Sequence, residues 1–214
     1  MAALISPGDD VLECACGTGL LTGAIAPRCK SLVATDLSEN MLKRARKKLA
    51  GCRNIRFEWA DILHLPYPDA SFDTIVAANV IHLLDQPQLA LKELERVCRP
   101  GGQIVIPTYM NRTDRGTTDP VSGLIARAGT GFKREFTPDT YAQFFAAAGY
   151  PHADYTLCRG RIPCAVAVLK KGEPDCGGES TSSRRKASIT KRNKRAPVLL
   201  CRVLFYQDSF PELT

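Results

Sequence analysis

A carboxylate, Glu13, stands where the apolar pair Val11-Leu12 gives way to a turn of small residues, Cys14-Ala15-Cys16-Gly17-Thr18-Gly19. A buried strand that ends in such a turn lets a ligand come close to the backbone, because the glycines free the chain to adopt conformations closed to other residues. A second acid, Asp36, closes another apolar run, Leu32-Val33-Ala34-Thr35. An acid about twenty residues after a Gly-rich turn suits the two hydroxyls of a ribose. The chemistry on offer is therefore recognition of a nucleoside by backbone amides and carboxylates.

The turn does not suit a phosphate. A dinucleotide loop uses three glycines and a helix N-terminus aimed at the pyrophosphate. Here Ala15 takes the first glycine position, and Leu20, Leu21 and Thr22 fill the region of the third. Glu13 would repel a pyrophosphate and attract a cation. The Gly-Lys-Ser/Thr ending of a phosphate-cradling loop is absent. These departures disfavour a dinucleotide oxidoreductase and favour a nucleoside that carries positive charge. S-adenosylmethionine, with ribose, sulfonium and ammonium groups, fits that description.

The elements that must position these residues follow from the apolar pattern. Strand-like runs at 10–15, 31–36, 54–60, 72–78 and 103–108 alternate with helix-like segments at 20–26, 39–50 and 87–98, which predicts a parallel sheet with right-handed crossovers. Ser38 is placed to cap the second helix, whose inner face would carry Met41, Leu42, Ala45 and Leu49. Its outer face carries Lys43, Arg44, Arg46, Lys47 and Lys48 and reads as a solvated surface. Gly101-Gly102 after Pro100 predicts a turn into the buried strand Ile104-Val105-Ile106. Thr137 and Pro138 open a further helix with Tyr141, Phe144, Phe145 and Ala148 on its apolar face and Gly149 as its stop. Two last strands, Ala153 to Cys158 and Ala165 to Leu169, complete the pattern.

At 214 residues, 44% of them hydrophobic and 24% charged, the chain has the material for one α/β domain. No apolar run reaches the length of a membrane span, and no basic stretch followed by an apolar one opens the chain. Nine cysteines scattered through strand-like and helix-like segments predict reduced thiols in a cytoplasmic protein. Cys14 and Cys16 lack a matching Cys/His pair nearby, so no metal site is expected. Residues 1–171 carry a net charge of +4, and residues 172–214 add +3. That last stretch, with Arg184-Arg185-Lys186 and Lys191-Arg192-Asn193-Lys194-Arg195, reads as a basic, disordered tail outside the domain.

Four blocks in order carry a family resemblance: Val11 to Gly19, Val33 to Met41, Ala60-Asp61-Ile62 with Phe72-Asp73, and Arg99-Pro100-Gly101-Gly102. Over about residues 8–171 the chain resembles the class I S-adenosylmethionine-dependent methyltransferases, in the group that includes the ubiquinone/menaquinone-biosynthesis enzymes. The resemblance implies a Rossmann-like α/β fold, with a mostly parallel seven-stranded sheet in the order 3-2-1-4-5-7-6 and helices on both faces. It implies that the backbone of Ala15, Cys16, Gly17 and Gly19 packs against the methionine part of the cofactor, and that Glu13 lies near its amino group. Asp36 would bind the ribose hydroxyls, Leu37 and Met41 would sandwich the adenine, Asp61 would accept from the adenine amine, and the Ile62 amide would read a ring nitrogen. Asn79 and Val80 would border the transferred methyl. His82 is the candidate general base, with a structural histidine in an apolar run as the alternative reading.

Two departures bear on function. The fourth strand ends Ala77-Ala78-Asn79-Val80-Ile81, without the Asn/Asp-Pro-Pro-aromatic signature of enzymes that methylate exocyclic amines of nucleobases or glutamine. The first strand also begins within a few residues of Met1, where the family carries covering helices, so the domain at 1–171 is expected to lack that cover. The expected activity is methyl transfer to a small-molecule acceptor held over Asn79 by residues 109–136, with Tyr109, Phe132 and Phe136 as candidate pocket walls. A degenerate domain that binds cofactor or a partner without turnover is one alternative. A nucleic-acid methyltransferase guided by the basic tail is another.

Overall fold

The computed structural model describes residues 4–110, 133–158 and 164–172. Seven strands form one sheet: β1 (Asp10–Cys14), β2 (Ser31–Asp36), β3 (Ile55–Trp59), β4 (Phe72–Ala77), β5 (Cys98–Tyr109), β6 (Asp154–Cys158) and β7 (Cys164–Lys170). Their order is β3-β2-β1-β4-β5-β7-β6. The first five run parallel, and β7 is antiparallel to both β5 and β6. The expected fold and strand order are therefore those observed. The segment 111–132, the connection 159–163 and the basic stretch 173–214, including Phe132, lie outside the described residues.

Both faces of the sheet are covered, which is why its strands read as near-continuous apolar runs. Helices α1 (Leu20–Ile25) and α2 (Glu39–Lys48) cover one face, where Val11, Leu21, Ile25 and Leu32 pack together and Leu42 meets Ala34 and Cys16. Helices α3 (Pro87–Val97) and α4 (Pro138–Ala147) cover the other, with Leu12, Ile75, Leu91, Leu94, Ile104, Tyr141 and Phe145 in one cluster. The caps behave as expected: Ser38 Oγ accepts from Met41 N, and Thr137 and Thr140 form a reciprocal capping box. Gly19 permits the close approach of the α1 entrance to α2, since a Cβ there would lie 3.0 Å from Leu49 Cδ1 and 3.1 Å from Ala45 Cβ.

Three expectations are corrected. Gly101-Gly102 is not a turn before a strand but a bulge within β5: Cys98 pairs with Phe72 and Gln103 with Thr74, so the register slips between them. Met41 does not join the buried face of α2 formed by Leu42 and Ala45; it is 38% exposed and borders the open space at the end of the strands. Cys14, Cys16, Cys29, Cys52, Cys98 and Cys164 are free thiols, but Cys158 is disulfide-bonded. No helix among the described residues is long and apolar enough to cross a membrane.

The bulge is anchored at the N-terminal end of the parallel strands. Arg99 Nη1 donates to Asp73 at 2.6 Å and to Asp10 at 3.3 Å, and Asp73 also accepts from Asp10 N at 2.8 Å. Gly102 leaves no room for a side chain: a Cβ would sit 2.7 Å from Asp73 O and 2.8 Å from Arg99 O. Gly102→Ala should therefore lower stability by about 1–3 kcal/mol, as overpacking against backbone does. Gly51, with nothing within 4 Å of its would-be Cβ, serves as the comparison. Urea unfolding of the two alanine variants decides the matter, and equal midpoints would show the bulge to be loosely packed.

Candidate functional site

The carboxyl ends of β1, β2 and β4 open onto a cavity of about 550 Å³, within the range of small-molecule sites. It lies where the strand order reverses about β1, the position at which open α/β sheets hold ligands. Its wall includes Glu13, Ala15 and Gly17 from the first turn, Asp36, Leu37 and Met41 from the second, Ile62, then Asn79 and Val80. Nine expected site residues are thus brought together from four separate stretches of chain. Leu83, Leu84 and Tyr109 extend the wall on the far side of Asn79.

Backbone geometry shapes the floor. Ala15 and Gly17 both have positive φ, 57° and 56°, and for alanine that region carries strain. The turn is held by Asp36: its Oδ2 accepts from Gly17 N at 2.8 Å, and its Oδ1 accepts from Ser38 N at 2.8 Å. Each carboxylate oxygen keeps a lone pair for a ligand hydroxyl. Asn79 also has positive φ, 51°. Its N–H donates to Pro107 O at 2.8 Å and its side-chain Oδ1 accepts from Tyr109 N at 3.0 Å. The Asn79 side chain thus joins the ends of β4 and β5, leaving its backbone to border the cavity.

Glu13 dominates the electrostatics. It is 1% exposed, and its Oε2 has no hydrogen-bond partner among the described residues. Burial pushes its carboxyl up to about 8; the neighbouring Thr22 hydroxyl opposes the rise and the Asp36 carboxylate adds to it. No Lys, Arg or His lines the cavity among the described residues. A buried acceptor with a vacant lone pair favours a ligand that brings its own cationic donor. Leu37, 54% exposed, and Met41 present apolar surface at the same mouth, suited to the face of a planar ring.

Four expected residues stand off the wall. Cys16 turns its thiol into the packing with Ala34 and Leu42, and Gly19 faces α2. Asp61 Oδ1 accepts from Leu63 N at 2.9 Å and closes a turn of its own. His82 sits in a short 3-10 turn, Ile81–Leu83, 4% exposed, and its carbonyl accepts from the amides of Lys133 and Arg134, each at 3.2 Å. Burial lowers its imidazole to about 4. It is thus buried and off the cavity wall. Phe136 likewise joins an aromatic cluster with Tyr141 and Phe144 rather than the cavity. Wall residues that the sequence pattern missed, such as Ala60, Leu83 and Leu84, carry no distinctive side-chain chemistry; only the fold brings them here.

Comparison with known proteins places this geometry. Residues 12–106 match the methyltransferase domain family. Over 198 residues the chain is 37% identical to the methyltransferase GfsG of Streptomyces halstedii, covering 86% of this chain and 69% of that protein. It is 40% identical over 99 residues to a demethylmenaquinone methyltransferase of Clavibacter sepedonicus, covering 46% of this chain and 40% of that one. The match thus spans only two fifths of the latter protein's length. The fold is shared with the N-methyltransferase NodS of Bradyrhizobium japonicum, solved with S-adenosylhomocysteine: TM-score 0.59, 23% identity, 78% of this chain and 80% of that one.

The raised Glu13 carboxyl has a stability consequence. Unfolded, it ionises near 4.5; folded, it keeps its proton until about 8. Between those values the folded state binds more protons, so this group's contribution to stability is lost as pH rises from about 5 to about 8. Glu13→Gln removes that titration. Unfolding midpoints at pH 5.5, 6.5 and 7.5 should fall more steeply for the wild type than for the variant, and parallel slopes would contradict a neutral buried Glu13.

Proposed function

This chain belongs to the class I S-adenosylmethionine-dependent methyltransferases, and we propose that it binds S-adenosylmethionine in this cavity and methylates a small-molecule acceptor. The observation that carries the reading is Glu13: a buried carboxylate oxygen without a partner, in a cavity whose described wall offers no cation. The ammonium group of the amino-acid end supplies the missing donor. Asp36 takes the ribose hydroxyls through the lone pairs that Gly17 and Ser38 leave open. The turn at Ala15–Gly17 receives the amino-acid end along its backbone, and Leu37 and Met41 hold the adenine between them. Ile62, on the wall, offers its amide to the ring edge, and Asp61 beside it reaches the adenine amine through its second oxygen.

When bound, S-adenosylmethionine supplies a methyl carbon already activated by its sulfonium leaving group. The chain's own contribution is then mainly alignment of acceptor and methyl on one axis. Asn79 and Val80 border that axis, and their positions are set by the clamp between β4 and β5. The titratable groups on the described wall are Glu13, Asp36 and Tyr109. The first two serve the cofactor and His82 lies off the wall, which leaves Tyr109 as the only other titratable group there; we read the acceptor as one that brings an available lone pair. The apolar side chains of Val80, Leu83 and Leu84 favour an acceptor with an apolar body. The relative named for demethylmenaquinone methylation supports an acceptor of small-molecule size.

The test is calorimetric titration of the full chain with S-adenosylmethionine and S-adenosylhomocysteine, beside Asp36→Ala. The expected result is saturable binding that the substitution weakens by roughly tenfold or more, the scale of a lost hydrogen bond to a charged group. Affinity should also rise with pH through neutrality, as Glu13 releases its proton to solvent and its carboxylate accepts from the incoming ammonium. Equal affinity for wild type and Asp36→Ala would remove the nucleoside from this cavity.

A further inference from the structure

Trp59 is the chain's only tryptophan. At 56% exposure it is the most exposed large apolar side chain among the described residues. It ends β3, the edge strand, directly across from Asp36. Its indole Nε1 donates to Leu37 O at 2.8 Å. An exposed indole N–H can donate to water almost as well, so stability of the edge strand gives little reason for this particular partner. The partner is the backbone of a cavity-wall residue. Leu37 is flanked by Asp36, which is tied to Gly17, and by Ser38, which accepts from Met41 N and caps α2. Its own carbonyl is held by Trp59.

We propose that Trp59 is a positioning residue for the nucleoside base: it pins the Leu37 carbonyl from outside, so that the Leu37 side chain stands over the cavity as one wall of the adenine slot. This rests on the cofactor reading above. With Leu37 held in advance, the base meets a wall that is already ordered, and less conformational freedom is lost on binding. The group acts through Leu37 and is not on the cavity wall itself.

The experiment pairs two measurements on the full chain. Emission of the single tryptophan is followed during titration with S-adenosylhomocysteine and with adenosine, and binding is measured in parallel by calorimetry for wild type and Trp59→Phe. Phenylalanine keeps an aromatic ring and loses the donor. Emission should change with the same midpoint as the heat. Trp59→Phe should bind both ligands roughly three- to tenfold more weakly, by the same factor, with the ligand-free unfolding midpoint unchanged. Calorimetric binding without an emission change, or equal affinity in the two proteins, would overturn the positioning role alone. Absence of any binding to the wild type would overturn the cofactor reading and this proposal with it.

Discussion

The site depends on one carboxylate bridging two strand ends. Asp36 leaves β2 and reaches back to the amide of Gly17 in the turn after β1, while its other oxygen closes the turn into α2 through Ser38. The turn departs from ordinary φ at Ala15, Gly17 and Gly19, and the amides of Cys16 and Gly19 find backbone partners while that of Gly17 does not. The Asp36 carboxylate satisfies that remaining amide. The residue read as the ribose ligand is therefore also the brace of the loop that would hold the amino-acid end.

Charge sets the second constraint. Glu13 and Asp36 border the same cavity, with Glu13 almost wholly out of water. Two carboxylates close together in low dielectric resist ionising together. Burial chiefly, with a smaller contribution from Asp36, keeps Glu13 protonated near neutrality, which leaves a site that favours an entering cation. A phosphate-bearing ligand would meet repulsion from Asp36 and find no cation on the described wall.

The four sequence blocks divide their labour between the two ends of the sheet. Val11–Gly19 and Val33–Met41 build the cavity. Phe72-Asp73 and Arg99–Gly102 meet at the opposite end, where Arg99 ties Asp73 to Asp10 and the bulge at Gly102 leaves no room for a side chain. That anchor sets the register of β4 on β5. Through it, the carboxyl ends of those strands reach the level at which Asn79 can clamp to Tyr109. Residues far from the cavity thus decide where its floor lies.

The sequence by itself determined the element order, the strand topology through family resemblance, and two of the three acids expected at the cavity, Glu13 and Asp36 but not Asp61. Alternation of apolar runs with capped helices, and a Gly-rich turn followed by Asp36, are local signals written in consecutive residues. It was less informative where a side chain's direction depends on what packs above it. Met41 had the spacing of a buried helix face, yet it stands on the open cavity wall and stays 38% exposed. His82 had the chemistry of a base, yet the 3-10 turn buries it away from the cavity wall. Gly101-Gly102 had the composition of a turn, yet pairing of β4 with Cys98 before it and Gln103 after it makes the segment a bulge within the strand. Long-range contact decided each of these, because burial is a property of the neighbours that folding assembles and not of the residue or its spacing.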